Sequence, residues 1–378
     1  MSGREKILVL LTAGGTGGHM FPADALARAL LDRGCDVALV TDKRGGAYGD
    51  TLSTIATHKI RAGQVTGRGP IAKLLGLADV ALGTLQARGL LKRLHPAAVV
   101  GFGGYASFPA MMAAGWLGIP SALHEQNAVL GRANRFLAKR ATRIAVAYAR
   151  VKGLPSGGEA KLRLTGNPVR APITALADAA YTAPTADGPL NVLILGGSQG
   201  ARIFSEIVPA AIAALPEAAR KRLQITQQAR AEDLPAAEAA YAEMGLKAEL
   251  KSFFDDVPER LKAAHLLICR AGASTIAELT TAGRPAVLVP YPYATDDHQT
   301  ANAASIDAEG GGWLVPQPEF KTETLSARLA ALLDDPSVLV AAAKKAKTLG
   351  YPDAAARLAD MVLDMLPPQT ATAKAGAA

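Results

Sequence analysis

Two stretches lying 184 positions apart share one design. "ILVLLTAGGTGG" (7–18) and "NVLILGGSQGA" (191–201) each run from an apolar segment through a glycine-rich turn into an amphipathic segment. This is the signature of a strand, a tight turn and a helix, and its restart halfway along the chain predicts two units in tandem. Around these stretches, short apolar runs alternate with helical patterns. The strand candidates are "KILVLLT", "DVALVT", "AAVVGF", "PSALH" and "RIAVA" in the first half and "LNVLILG", "LQITQ", "HLLICR" and "PAVLVP" in the second. Near-continuous apolar strands separated by helices imply parallel sheets covered on both faces. A chain of 378 residues also exceeds what one core holds. The fold class expected is α/β with two doubly wound, Rossmann-like domains. The junction falls in "TGNPVRAPI" (165–173), where prolines interrupt both periodicities. The last helical pattern, 353–366, ends at Pro367, and the tail "PPQTATAKAGAA" is expected to be disordered.

Cys35 and Cys269 both sit in or beside apolar strand runs and neither has a CxxC partner, so no disulfide framework or thiol chemistry is expected and a reducing compartment is the default. The N-terminus lacks a signal-peptide pattern. The uncharged stretch Leu94–His124 is interrupted by Pro96, Pro109 and Pro120, and reads as two short buried strands with a helix between them rather than as a membrane span.

The net charge of +8 is unevenly placed. Between His58 and Arg143 there are twelve Lys or Arg and only two acids, Asp79 and Glu125, whereas 144–378 carries 23 basic and 25 acidic residues. Such asymmetry points to an anionic partner on the first half, a membrane surface or a nucleic acid. The basic segment lacks interleaved aromatics and a recognised nucleic-acid module, which favours the membrane. Leucine-rich 69–96, with Lys73, Leu74, Leu75, Arg88, Lys92 and Arg93, together with Arg132, Arg135, Lys139 and Arg140, could dock on an anionic leaflet; the alternative is an ordinary amphipathic helix lying on the sheet.

A glycine turn that opens a helix lets an anionic ligand approach free backbone N–H groups. Dinucleotide binding fits poorly: Asp42 ends the second strand, but a GxGxxG beginning at Gly15 would need glycine where Met20 stands. No P-loop or DxD pattern is present. A third cluster, "GFGGYASFP" (101–109), and the polar run "LHEQNAVLGRANRF" (123–136) follow two further strands. In the second half "CRAGASTIAEL" (269–279) is another strand, turn and helix, and "ATDDHQTANA" (294–303) opens one more helix. Asp296, Asp297 and His298 could bind a metal, but no second cluster has ligand spacing.

"GGTGGHMFPADALA", "GFGGYASFPA", "LHEQNAVLGRAN", "TGNPVR", "GGSQGAR", "CRAGASTIAEL" and "DDHQTANA", in this order and spacing, resemble the MurG-type glycosyltransferases of bacterial peptidoglycan synthesis. The resemblance runs from about residue 6 to 366. It implies a GT-B fold whose domains face each other across a cleft, and inverting, metal-independent transfer of N-acetylglucosamine from its UDP sugar to undecaprenyl-linked lipid I, giving lipid II. It implies no cofactor, and a peripheral place on the cytoplasmic face of the inner membrane. Residues 1–166 with 350–366 would form the acceptor domain and 167–349 the donor domain.

Site roles follow from the same resemblance. Ser198, Gln199, Gly200 and the backbone from Gly197 to Ala201 would wrap the diphosphate. Arg170 would contact phosphate; Ala273, Ser274 and Thr275 would bind the α-phosphate and ribose, and Glu278 the ribose. Phe254 would flank the uracil. Gln299 would hold the sugar, with Asn127 approaching from the other domain and Thr16, Gly17 and Gly18 lining the donor side. Gly14, Gly15, Gly103, Gly104 and Tyr105 would face the acceptor. His19 is the candidate general base, its alternative role being a hydrogen bond to the acceptor diphosphate; His124 and Glu125 are the rival bases. Two departures from the family pattern, "TQQAR" (226–230) and "YPYATDDHQ" (291–299), bear on sugar contacts rather than on reaction class. The readings left open are a UDP-N-acetylglucosamine 2-epimerase, another lipid glycosyltransferase, and a non-catalytic nucleotide-sugar-binding module.

Overall fold

The computed structural model describes residues 6–14, 17–42, 49–63, 70–185, 187–197 and 200–366, with the side chains of 70–73 excepted. Gly15, Thr16, Ser198, Gln199, the Lys73 side chain and the tail 367–378 therefore lie outside the described residues.

The first half forms a seven-stranded sheet from β1 (Leu8–Thr12), β2 (Asp36–Thr41), β3 (Ala56–Lys59), β4 (Ala98–Gly101), β5 (Ser121–Glu125), β6 (Arg143–Val146) and β7 (Leu162–Leu164), in the order β3-β2-β1-β4-β5-β6-β7. The second half forms a six-stranded sheet from β8 (Leu190–Leu195), β9 (Leu223–Gln228), β10 (Ala248–Lys251), β11 (Leu266–Cys269), β12 (Ala286–Leu288) and β13 (Gly312–Leu314), in the order β10-β9-β8-β11-β12-β13. Each strand pair is parallel. Helices therefore cover both faces. In the first domain α1 (Gly17–Asp32) buries Met20, Leu26 and Leu30 on one face of the sheet. On the other face α2 (Pro70–Leu94) and α3 (Ser107–Leu117) contribute Ala87, Leu90, Leu91, Ala110 and Met111. Leu94–His124 folds as β4, α3 and β5.

Strand order reverses between β1 and β4 in one sheet and between β8 and β11 in the other. Ligands of open parallel sheets bind outside the carboxyl ends at such points. Each of the four turns that follow these strands carries glycine: Gly14 after β1, Gly103 and Gly104 after β4, Gly196 and Gly197 after β8, Gly272 after β11.

The helix Ala354–Asp364 lies against α1, where Leu358, Ala359, Met361 and Val362 join the core of the first sheet and Arg33 Nε donates to Asp360 Oδ1 at 2.9 Å. Both cysteines are buried, and burial pushes the Cys269 thiol up to about 12, which leaves it inert at neutral pH.

Candidate active site

The glycines of the first two turns serve each other before they serve any ligand. Gly104 has φ 77°, and a Cβ there would strike the carbonyl oxygen of Gly14. Gly17 opens α1, and a Cβ on it would lie 2.8 Å from the Phe21 ring. Thr12 Oγ1 donates to the Ala106 carbonyl at 3.2 Å, and Ser107 Oγ bonds the carbonyls of Thr12 and Gly103 at 2.7 and 2.6 Å. The two turns are thus one knitted floor. The His19 ring lies against it, with Cε1 3.0 Å from where a Gly103 Cβ would be. Tyr105 follows in the same turn.

The three candidate bases meet at this floor, in very different states. Glu125 is 2% exposed and spends both carboxylate oxygens on its own loop. Oε1 accepts from Asn127 N at 3.1 Å and Asn127 Nδ2 at 3.2 Å; Oε2 accepts from Gly131 N at 2.9 Å and Asn134 Nδ2 at 2.8 Å. His124 is fully buried. Gln126 Nε2 donates to the Phe102 carbonyl at 2.9 Å and lies 3.1 Å from His124 Nδ1, so it donates there too. The His124 proton is then on Nε2, which donates to the Gly166 carbonyl at 3.0 Å. Burial pushes His124 down to about 4. His19 differs from both: its Nδ1 is enclosed but has no hydrogen-bond partner. Burial lowers its pKa below the ordinary imidazole value and favours the neutral ring, opposed by the Glu125 charge and by hydrogen bonding to Gln126 and the Phe102 backbone.

On the opposite edge, the helix Ala273–Thr281 follows β11 and is capped by Gly272, with no side chain capping its first N–H groups. Ser274 Oγ is buried there without a partner, as is Asn167 Oδ1, whose amide Nδ2 donates to the Ala273 carbonyl at 3.4 Å. Thr275 follows in the same turn. Arg170 and Glu278 come together: Arg170 Nε and Nη2 donate to Glu278 Oε1 at 3.2 and 3.0 Å. Burial raises the Glu278 pKa, and Arg170 pulls it back. The Arg170 guanidinium also lies 5.0 Å from the centre of the Phe21 ring on α1, so it touches both domains. Gly200 has φ 69°, and Gly196 N donates to Gln228 Oε1 at 3.1 Å.

One uracil-side and one sugar-side residue are both held by their own domain. Phe254 is 3% exposed and lies beneath the Arg260 guanidinium at 4.1 Å, so its ring faces the domain interior; the ring open to solvent is Phe253, at 71%. Gln299 Oε1 accepts from Tyr291 N at 2.9 Å, which ties it to the loop after β12. Asn127 does cross the cleft. Its Oδ1 accepts from Asn302 Nδ2 at 3.1 Å, and Asn302 Oδ1 accepts from Ala128 N at 2.8 Å. Among the described residues no group of three or more His, Cys, Asp or Glu side chains is placed to hold a metal ion.

Away from the cleft, α2 turns a leucine-rich face outward. Leu74, Leu75, Leu77, Leu82 and Leu85 are exposed, as are Arg88, Lys92 and Arg93. Its segment Leu74–Leu94 is long and apolar enough to cross a membrane, yet Thr84, Ala87, Leu90 and Leu91 are buried on the sheet. Lys139 and Arg140, just after the helix Arg132–Ala138, are exposed as well, with Arg140 over the Phe136 ring at 5.2 Å. Exposed Trp116 was not legible as a surface residue from the sequence, because it sits in an apolar helical pattern; Phe136 is also exposed. Gln126, Gln228 and Asn302 were also missed as positioning groups. All three lie inside singled-out stretches, so only their partners were hidden.

Residues 9–146 match the glycosyltransferase family 28 N-terminal domain, and residues 191–358 match the glycosyltransferase family 28 C-terminal domain. A curated UDP-N-acetylglucosamine--N-acetylmuramyl-(pentapeptide) pyrophosphoryl-undecaprenol N-acetylglucosamine transferase of Paramagnetospirillum magneticum is 56% identical, over 96% of this chain and 98% of its own. Its namesake in Rhodospirillum centenum is 58% identical, over 94% and 93%. The crystal structure of Acinetobacter baumannii MurG superposes with a TM-score of 0.77 at 32% identity, covering 95% of this chain and 99% of that one. The two sheets, the four glycine turns at their switch points and these matches lead to one assignment: the chain belongs to glycosyltransferase family 28.

Proposed function

We propose that the chain transfers N-acetylglucosamine from UDP-N-acetylglucosamine to the muramyl 4-hydroxyl of undecaprenyl-pyrophosphoryl-N-acetylmuramyl-pentapeptide, converting lipid I to lipid II in peptidoglycan synthesis. One observation carries the substrate pair: identity of 56% over 96% of the chain to a transferase named for that reaction. The first domain, 1–166 with 350–366, takes the acceptor, and 167–349 takes the donor.

The reaction is a displacement with inversion. His19 takes the proton of the acceptor hydroxyl, the oxygen bonds to the anomeric carbon, and the bond to the diphosphate breaks as UDP leaves. His19 suits the role because burial favours its neutral form and its Nδ1 is unspent, whereas every polar atom of the Glu125 carboxylate and the His124 ring is already bonded. Glu125 and His124 are therefore positioning residues in this reading. The leaving diphosphate is met by the N–H groups at Gly272–Thr275, the Ser274 hydroxyl, Arg170 and the Gly197–Ala201 turn with Ser198 and Gln199. Glu278 accepts from the ribose, Gln299 and Asn127 hold the sugar, and Thr16, Gly17 and Gly18 close the donor side. Gly14, Gly15, Gly103, Gly104 and Tyr105 leave room for the acceptor diphosphate. The exposed leucines of α2, including Leu74 and Leu75, would enter an anionic leaflet flanked by Lys73, Arg88, Lys92, Arg93, Lys139 and Arg140, making the protein peripheral on the cytoplasmic face of the inner membrane. Nucleic acid has no part in it.

The test is UDP release from UDP-N-acetylglucosamine, with and without a lipid I analogue, in EDTA. Acceptor-dependent release that survives EDTA is expected. Release without acceptor would indicate an epimerase, and release with a different lipid alone another lipid glycosyltransferase. Binding without release would indicate a nucleotide-sugar-binding module. Co-sedimentation with phosphatidylglycerol vesicles, and not with pure phosphatidylcholine, is expected of the docking surface.

A further inference from the structure

Asp296 lies in a short turn (Thr295–Asp297) directly before the helix His298–Asp307, in the second domain. Its carboxylate is held from the first domain. On α4 (Arg132–Ala138), Arg132 Nη2 and Nε reach Asp296 Oδ1 at 2.9 and 3.2 Å, and Arg135 Nη2 reaches Oδ2 at 3.4 Å. Arg135 is itself fixed by donating Nε to the Leu130 carbonyl at 2.8 Å. Asp296 and Asp297 have φ of 53° and 51°, a left-handed pair without glycine that surrounding contacts must hold in place. Three positions on, Gln299 Oε1 bonds Tyr291 N and closes the loop at its base. A second strut runs beside this one, from Glu125 through Asn127 to Asn302 on the same helix. Glu125 also bonds Gly131 N and Asn134, which fixes α4. One buried carboxylate therefore anchors two lines of contact that end on either side of Gln299.

We infer that Asp296, clasped by Arg132 and Arg135, is a positioning residue that seats Gln299 for the donor sugar and thereby couples the first domain to sugar recognition in the second. The inference rests on the reading of Gln299 as a sugar contact. It concerns the sugar and not the nucleotide, because the clasp ends on the 291–299 loop while the phosphate and ribose groups sit at Gly272–Glu278.

Asp296→Asn preserves shape and tolerates the left-handed backbone while removing the charge. The expected result is a KM for UDP-N-acetylglucosamine raised about fivefold, the scale of a partly exposed ion pair, with the inhibition constant of UDP unchanged. Asp296→Glu should recover part of the loss. Arg132→Ala with Arg135→Ala should reproduce it, and adding Asp296→Asn to that pair should cost nothing more. The inference is overturned if UDP affinity falls in step with KM, if the arginine and aspartate effects multiply, or if Asp296→Asn leaves KM unchanged while Gln299→Ala raises it. A Gln299→Ala variant with unaltered KM would instead overturn the sugar-site reading beneath it.

Discussion

The two edges of the cleft use polar side chains in opposite ways. In the first domain Glu125, His124, Gln126 and Asn134 are each buried and hydrogen-bonded to one another or to local backbone, and His19 Nδ1 is left over. In the second domain the corresponding turn keeps donors open: a helix N-terminus, the Ser274 hydroxyl and Arg170 on a single oxygen of Glu278. The first arrangement fixes geometry around one proton acceptor. The second leaves a site that an anion completes. The two edges therefore differ in how hydrogen-bonding capacity is spent.

The largest expected effect falls on the leftover group. His19→Gln should lower kcat by about 10²–10⁴-fold, the range for a general base, with UDP affinity unchanged in a competition assay. Equal losses in both would place His19 in donor binding and erase the contrast. Glu125→Ala removes the acceptor of four hydrogen bonds, so denaturant unfolding should show a loss of about 4 kcal/mol. A variant that folds as the parent does but turns over slowly would make Glu125 a base after all.

Acidification probes the same side. The His124 pKa falls from 6.5 unfolded to about 4 folded. Its contribution is complete above pH 6.5 and is lost as pH falls toward 4, about 3 kcal/mol in all, with His19 adding in the same direction. Unfolding free energies between pH 7 and 4 should follow that slope, and His124→Asn should flatten it. The smallest effect is on the donor side, where Ser274→Ala should weaken UDP by about fivefold, one neutral hydrogen bond's worth, without moving the pH slope.

Each of the nine strands expected from apolar runs is present. The four that were not expected, β3, β7, β10 and β13, are the two edges of each sheet. "ATHK", "LRL" and "AELK" are half-exposed and charged or polar, and "GWL" is three residues long, so none carries an apolar run. Edge strands are kept polar and short, which hides them from a hydrophobicity pattern. The site was legible where backbone made it, as glycine turns at strand ends. It was not legible where partners distant in the chain decide a side chain's role. Nothing in "HEQN" tells that the Glu125 carboxylate is already spent, and nothing in "DDHQ" tells that Asp296 meets Arg132, 164 residues away. In "SFFDD" two adjacent phenylalanines differ in burial, and it is Phe254 that packs beneath Arg260 and Lys251.

The most direct test of the division between the edges is the pH dependence of kcat/KM, which reports the base in the free protein. A base that must be neutral, in a site that lowers its pKa, should give an acidic limb with its midpoint below 6.5, and that limb should vanish from the residual rate of His19→Gln. A midpoint above 6.5, or an unchanged limb in the variant, would contradict the assignment of the proton to His19.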